Sequence, residues 1–317
     1  VFTVPPNPPV ISSVGSANAL GGNDSIVSSQ TGDALISGTA AVGTTITIRN
    51  AAANNAILGS AVTTPQGTWS YALTTANLTS LSQGNNKSIN AIATDPVGNA
   101  STASLPFTFS IDTLGPTVNS VELFRADGAV NQFLNAGDVI YARARFSEPL
   151  TISGSPTLNL LIGTATVSAS YDSATSTPSA NPAELIFRYT IQKDQTDANG
   201  ISIPANSIIL PSGAAIRDIA GNPASLSHLL VADNSNYKVD TSVAPPTITA
   251  LGGADKIVST AKDDNILTGT AENGASVSIR LNGVEIGSTS ASSTSGSWTY
   301  TLSADNITAI GQGLNKS

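Results

Sequence analysis

The chain of 317 residues has no cysteine, no methionine and a single histidine, His228. The absence of cysteine excludes a disulfide framework and thiolate chemistry. One histidine without cysteine gives poor support to a zinc site or to a Ser-His-Asp triad. The sequence also offers no phosphate loop and no cofactor fingerprint. These absences predict a protein that is not an enzyme.

Charged residues are scarce as well, at 11% of the chain, and the net charge is −8. The thirteen Lys and Arg residues are scattered and form no basic stripe, which excludes a nucleic-acid-binding protein. No apolar run reaches the roughly 18 residues of a transmembrane helix, so we expect no direct membrane insertion. The acid is mostly aspartate, sixteen Asp against five Glu, and Asp favours turns.

The chain contains an internal repeat, which decides the fold class. A first module and a third module share five sequence elements, and a different module lies between them. The matched elements are residues 21–28 and 252–259, 37–40 and 268–271, 46–49 and 277–280, 67–71 and 296–300, and 86–88 and 315–317.

Proline-marked joints divide the chain. One joint is residues 111–116 and the other is residues 239–246; both contain an Asp-Thr pair, and proline stiffens a linker. We predict the tail of a preceding repeat at 1–4, repeat one at 5–113, repeat two at 114–242, and repeat three at 243–317, truncated before its last two strands. We therefore expect the chain to be an excised part of a longer array.

Period-two alternation of β-branched and apolar residues predicts strands throughout, for example at 44–49, 139–146, 185–191 and 276–281. Several short strands per hundred residues, separated by turn signals, are typical of a β-sandwich. We predict an all-β protein of tandem immunoglobulin-like β-sandwich domains in an elongated rod.

Repeats one and three resemble the bacterial Ig-like repeats of giant surface adhesins and biofilm-associated proteins. The likeness is carried by Gly-Thr-Ala at 38–40 and 269–271, by Gly-x-Trp-x-Tyr at 67–71 and 296–300, and by residues 93–99. The middle module resembles a related repeat through Phe-Ser-Glu-Pro at 146–149 and through residues 216–222. The resemblance implies an extracellular location on the bacterial cell surface and a role in cell adhesion or biofilm.

An Asp-x-x-Gly-Asn element occurs twice, at residues 95–99 and 218–222, and each precedes an Asp at a joint. Carboxylates and turn carbonyls are the oxygen ligands that calcium requires. We predict metal ligation by six residues: Asp95, Asn99, Asp112, Asp218, Asn222 and Asp240. The resemblance implies the same use of calcium, as a stiffener of the joints. The alternative is that Gly supplies a positive φ and the Asp and Asn side chains cap ordinary turns.

Two other groups have competing interpretations. Glu148 lies in the Phe-Ser-Glu-Pro turn, and without a second carboxylate for a glycosidase pair we predict a structural role. Trp69 and Trp298 each precede a Tyr by two residues, on one face of a strand. Core packing is one interpretation of these pairs, and a platform that stacks on sugar rings is the other.

These features favour a structural extender of a surface adhesin, which projects a distal binding domain and has neighbouring repeats of the same polypeptide as partners. Two alternatives remain open. One is a self-assembling surface layer or extracellular filament, with like subunits as partners. The other is a carbohydrate-binding module, with glycans as partners.

Overall fold

A computed structural model of the chain describes residues 4–15, 24–252, 256–260, 264–311 and 313. The chain divides into two compact units, unit one (Val1–Asp240) and unit two (Thr241–Ser317). Unit one contains two separate clusters of buried apolar side chains, one between residues 11 and 111 and one between residues 123 and 239. Unit two contains a third cluster, between residues 267 and 302. The predicted tail of a preceding repeat lies outside the described residues except for Val4, and the domain boundaries stay a prediction.

Repeat one is built from two facing sheets. Its elements are β1 (Val10–Val14), β2 (Ile26–Val27), β3 (Leu35–Thr39), β4 (Thr45–Asn50), β5 (Ala56–Val62), β6 (Thr68–Ala72), α1 (Thr75–Leu81), β7 (Gly84–Thr94) and β8 (Phe107–Ile111). One sheet has the strand order β1-β3-β6, and the other has the order β2-β8-β7-β4-β5. The alternating residues of both sheets, such as Ile36, Ile48 and Ile89, are fully buried between them, which gives the sandwich its core.

The Gly-Thr-Ala motif marks a close contact between a strand and a tryptophan. A Cβ atom on Gly38 would overlap the main-chain oxygen of Val10 and would lie 2.6 Å from Cζ2 of Trp69. Gly269 stands in the same relation to Thr247 and Trp298 in unit two. The glycine is therefore needed because the indole packs directly against the strand.

Each of the short helices begins with a capping box whose asparagine accepts a hydrogen bond from a tyrosine hydroxyl. In α1 the side chain of Asn77 accepts from the main-chain nitrogen of Thr74 at 2.9 Å and from the hydroxyl of Tyr71 at 2.9 Å. This satisfies groups at the helix start that lack intrahelical partners. The second helix repeats the arrangement with Asn306 and Tyr300.

Repeat two has a larger sheet. Its strands are β9 (Val118–Asp127), β10 (Phe133–Leu134), β11 (Val139–Phe146), β12 (Thr151–Ser153), β13 (Thr157–Ile162), β14 (Ala165–Tyr171), β15 (Ala183–Thr190), β16 (Thr196–Asp197), β17 (Ile208–Ile209), β18 (Ala215–Arg217) and β19 (Lys238–Asp240). The sheet orders are β17-β13-β14-β15-β11-β9, β10-β19-β16 and β12-β18. Phe146 and Phe187 are fully buried in its core.

Unit two repeats part of the pattern of repeat one. Its elements are β20 (Thr247–Leu251), β21 (Ile266–Thr270), β22 (Ser276–Leu281), β23 (Val284–Ser290), β24 (Ser297–Thr301) and α2 (Ala304–Ile310). The sheet orders are β20-β21-β24 and β22-β23. Between β20 and β21 the register shifts at the same place as between β1 and β3. Of the described residues, none belongs to a helix that is long and apolar enough to cross a membrane.

Candidate functional site

The second Asp-x-x-Gly-Asn element forms a tight turn directly after β18. The Asp218 carboxylate accepts from the main-chain nitrogen of Asn222 at 2.7 Å through Oδ1 and from Nδ2 of Asn222 at 2.7 Å through Oδ2. The main-chain nitrogen of Asp218 donates to the oxygen of Asn222 at 3.1 Å, and Gly221 supplies the positive φ that such a turn needs. Both Asp218 and Asn222 are buried.

The same asparagine reaches back to repeat one. Nδ2 of Asn222 donates to the main-chain oxygen of Asp112 at 2.8 Å, and its Oδ1 accepts from the main-chain nitrogen of Ser29 at 2.7 Å. Beside it, Nε2 of Gln30 donates to the main-chain oxygen of Gly221 at 2.8 Å. Asn222 therefore uses both ends of its side-chain amide to join the end of β8 and the loop after β2 to repeat two.

Three carboxylates meet at this joint. One oxygen from each of Asp112, Glu148 and Asp218 lies within 4.8 Å of the others. Asp112 follows β8 and Glu148 follows β11, so the group combines the last strand of repeat one with two loops of repeat two. In the part of the chain that the structure describes, none of the three forms an ion pair with Lys or Arg.

The electrostatics of the group are unfavourable for three negative charges. Burial, followed by the charge of Asp218, raises the pKa of the Asp112 carboxyl above its usual value. Burial, followed by the charges of Asp112 and Asp218, likewise raises the pKa of Glu148. Like charges in a partly desolvated place disfavour the ionised form, and a cation bound between them would relieve that repulsion.

The donor atoms of the group suit a hard divalent cation. Calcium takes six to eight oxygen ligands from carboxylates, main-chain carbonyls and water. The three carboxylates follow the ends of β8, β11 and β18, and carboxylate oxygens are among the ligands that calcium takes. The residues present therefore fit calcium, and Asn222 fixes the position of one of the three carboxylates.

The first Asp-x-x-Gly-Asn element forms the same turn but stays apart from this group. The Asp95 carboxylate accepts from the main-chain nitrogen of Asn99 at 2.8 Å and from its Nδ2 at 2.9 Å. Burial acts to raise the pKa of Asp95, but the hydrogen bonds from Asn99, Val97 and Gly98 outweigh it and lower the pKa below its usual value. Asp218 makes the same bonds in its own turn, so the difference between the two turns is that, among the described residues, Asp95 belongs to no group of three carboxylates. The turn at Asp95 fits the interpretation of an ordinary capped turn.

Of the six predicted ligands, the structure brings Asp112, Asp218 and Asn222 together. Asp95 and Asn99 are paired with each other, and Asp240 lies in β19 opposite Thr196; neither Asp95 nor Asp240 belongs to the three-carboxylate group found among the described residues. Glu148 is the member that sequence reasoning missed. Its signal was present, since the Phe-Ser-Glu-Pro turn holds a carboxylate immediately after a buried strand, but nothing in the sequence indicates which loop faces the joint.

The two tryptophans are core residues. Trp69 is 2% exposed and Trp298 is 3% exposed, and each belongs to the buried cluster of its own repeat. The stacking of a sugar ring needs an accessible aromatic face, so the interpretation of these indoles as a sugar platform is wrong. The observation removes the feature on which the carbohydrate-binding alternative depended.

Residues 24–108 match the family model for the bacterial Ig domain, which confirms the predicted class for repeat one. No curated protein matches the chain. One similar solved structure concerns the host cell surface retention of a 1.5-MDa bacterial ice-binding adhesin; the identity is 16%, the TM-score is 0.40, and the match covers 96% of this chain and 90% of that chain. Another is the BSP domain of a biofilm associated protein, with 14% identity and a TM-score of 0.21, covering 75% of this chain and 30% of that chain.

Proposed function

We propose that this all-β chain, with its bacterial Ig domain at residues 24–108, is a structural extender of a bacterial cell-surface adhesin. The extender is extracellular and non-catalytic, and it holds a binding domain away from the cell. Neighbouring repeats of the same polypeptide are its partners. The observation that carries the proposal is the joint in unit one, where the buried side chain of Asn222 connects repeat two to Ser29 and Asp112 of repeat one.

An extender must resist bending at its joints, and hydrogen bonds that join two repeats supply that resistance. If repeat two rotated away from repeat one, the amide of Asn222 would lose its hydrogen bonds to Ser29 and Asp112. Each such hydrogen bond contributes about 0.5–1.5 kcal/mol net. Asn222 and Gln30 contribute three hydrogen bonds across the joint, so bending is opposed by several such costs at once.

We infer further that calcium binds the group of Asp112, Glu148 and Asp218 and stiffens this joint. One carboxylate comes from the end of repeat one and two come from repeat two, so an ion held by all three would join the repeats. The positive charge would favour the ionised forms of Asp112 and Glu148, whose pKa values are raised in its absence.

The stiffness of the joint can be measured with spin labels. The chain has no cysteine, so Ser70→Cys on β6 and Ser168→Cys on β14 introduce two unique labelling sites on exposed positions of repeats one and two. We expect a narrow distribution of distances between the labels, and a broader one after Asn222→Ala. Asn99→Ala is the matched control, because it removes the same residue from a turn outside the joint. A distribution that is equally broad in all three proteins would contradict the proposal.

The calcium inference has a separate test. Thermal unfolding of the chain in millimolar calcium and in excess chelator should differ, because a ligand that binds only the folded state raises the melting temperature. Glu148→Gln should reduce the difference, whereas Asp95→Asn should leave it in place. If calcium has no effect on the melting temperature, the metal part of the proposal is wrong, and the hydrogen-bonded joint remains to be judged from the spin labels.

A further inference from the structure

The one histidine of the chain, His228, joins two segments of repeat two through both nitrogens of its ring. Its Nε2 accepts a hydrogen bond from the main-chain nitrogen of Ser207 at 2.9 Å, and its Nδ1 lies 2.9 Å from the main-chain oxygen of Leu229. A main-chain N–H can only donate, and a main-chain carbonyl can only accept. Nε2 is therefore unprotonated and Nδ1 carries the hydrogen, which is one of the two neutral forms of the ring.

A positively charged ring does not fit this contact. In the charged form both nitrogens carry hydrogen and both donate, so Nε2 would face a second donor, the main-chain N–H of Ser207. Ser207 is only 4% exposed, so its main-chain nitrogen would lose its acceptor where water has little access. The Ser207 hydroxyl lies 3.3 Å from Nε2 and can accept from the charged ring, but it does not replace the acceptor that the main-chain nitrogen loses.

The segment that carries His228 is held by few other bonds. Residues 226–230 belong to no strand. Oδ1 of Asn206 accepts from the main-chain nitrogen of His228 at 3.0 Å and from the hydroxyl of Ser227 at 3.1 Å, and the main-chain nitrogen of Asn206 donates to the oxygen of His228 at 3.2 Å. The bond from Ser207 to the ring is therefore a substantial part of what fixes this segment.

The apolar side chains of the segment contribute little to holding it. Leu229 is 88% exposed and Leu230 is 64% exposed. Beyond them the chain is paired again through the isolated bridge between Ile203 and Val231. The segment can thus open between two fixed points without loss of a large buried apolar surface.

The surroundings of the ring contain no other group that titrates. Together with His228, residues 118–121 in β9, residues 205–206 and the rest of 227–231 line a cavity of about 610 Å³. All of these other lining residues are apolar or neutral polar, and so is Ser207. The charge at this place therefore depends on His228 itself.

We propose that His228 is a pH-sensitive switch in repeat two. The neutral ring holds residues 226–230 against Ser207, and the charged ring releases them, which opens one wall of the cavity beside β9. Histidine side chains change charge near pH 6.5. The open form binds one proton more than the closed form, so opening becomes easier as the pH falls through this range and is suppressed above it. The inference does not depend on the proposed extender function or on calcium.

The form of the ring can be measured directly on the full chain. Because the chain has one histidine, its ring nitrogens give the only imidazole signals in a ¹⁵N NMR spectrum. At pH 7.5 we expect a protonated Nδ1 and an unprotonated Nε2. The opposite neutral form, or an average of the two, would overturn the proposal, because Nε2 would then not accept from Ser207.

Amide hydrogen exchange of the full chain measures the opening itself. Protection of the Ser207 amide, corrected for the intrinsic dependence of exchange on pH, should fall by about tenfold between pH 7.5 and pH 5.5, one unit below the usual value of histidine. The amides of β11, which is paired on both edges, should keep their protection. No fall at Ser207, or the same fall in β11, would overturn the proposal.

Two variants separate the charge of the ring from the other bonds of the segment. His228→Gln keeps a side-chain acceptor and donor but cannot be charged, so protection of Ser207 should no longer change between the two pH values. Asn206→Gly removes bonds to the same segment that do not titrate, and glycine accepts the positive φ of 54° at this position. It should lower the protection at both pH values and leave the tenfold ratio in place. A ratio that persists in His228→Gln, or that disappears in Asn206→Gly, would overturn the proposal.

Discussion

The side-chain amide of Asn222 donates a hydrogen bond to the main-chain oxygen of Asp112, 2.8 Å away in the preceding repeat. The same amide nitrogen donates to the Asp218 carboxylate. We predict that Asn222→Asp destabilises unit one by about 3 kcal/mol. The change replaces a donor by a fourth negative charge beside three carboxylates, and an unpaired buried charge costs a few kcal/mol. Urea unfolding at pH 7 in chelator measures the difference.

The first turn supplies the comparison for this variant. Asn99→Asp makes the same replacement in a turn with the same internal bonds to Asp95, and among the described residues Asp95 belongs to no group of three carboxylates. Asn99 is partly exposed, so water can solvate the new charge. We expect the loss of stability to be clearly smaller than for Asn222→Asp. Equal losses of stability would show that the position of Asn222 at the joint adds nothing to the cost of placing a second carboxylate in the turn.

The carboxylate group predicts how stability depends on pH when no metal is bound. The folded-state pKa values of Asp112 and Glu148 are raised. A carboxyl whose pKa is raised by folding adds to the free energy of unfolding at a pH below its unfolded-state pKa, near 4. This added stability is lost as the pH rises through the folded-state pKa. Glu148→Gln should therefore stabilise unit one at pH 7, by under about 1 kcal/mol because the carboxyls are partly solvated.

The measurement is a series of urea unfolding curves between pH 3 and pH 7 in chelator, for the natural chain and for Glu148→Gln. The two curves of stability against pH should converge at the acid end and separate at neutral pH. With calcium present the order should reverse at pH 7, because the variant loses a proposed ligand. A separation that grows toward acid would contradict the like-charge account of the group.

The contact of Gly38 with Trp69 predicts a steric cost. We expect Gly38→Ala to destabilise unit one by about 1–3 kcal/mol, because a methyl group would displace either β1 or the indole. Gly269→Ala should do the same in unit two, where a Cβ atom would overlap the oxygen of Thr247 and lie 2.5 Å from Cε2 of Trp298. Ser70→Ala, at an exposed position of β6, is the control and should have little effect. Thermal unfolding followed by tryptophan fluorescence reports on both indoles.

Much of the fold could be predicted because apolar and polar residues alternate along each strand, and this alternation is visible in a short stretch of sequence. The predicted strand at 139–146 is β11 (Val139–Phe146) without any shift. Such a strand depends on the period-two alternation of neighbouring residues, which can be seen in one stretch of sequence.

The joint could be predicted only in part. Asp112, Asp218 and Asn222 stand out as residue types suited to turns and cations, but nothing in the sequence combines Asp112 with the turn of the following repeat rather than with the turn at Asp95. That choice depends on which loops of repeat two face the end of β8. Glu148 enters the group for the same reason, because the orientation of one sandwich on another is set by packing over the whole joint.

A second glutamate in repeat two predicts a pH dependence of the opposite sign. Glu184 accepts from Nε of Arg145 at 2.7 Å and lies 3.6 Å from Arg143. The hydrogen bond from Arg145 lowers the pKa of Glu184 below its usual value, against the effect of burial. Glu184 therefore adds to the free energy of unfolding at a pH above its unfolded-state pKa, near 4.5, and this stability is lost as the pH falls through the lower folded-state pKa.

Glu184→Gln should lower the free energy of unfolding by under about 1 kcal/mol at pH 7 and leave it unchanged at the acid end. In the urea series, Glu148→Gln and Glu184→Gln should thus displace the stability at pH 7 in opposite directions, and a shift of both in the same direction would contradict one of the two assignments.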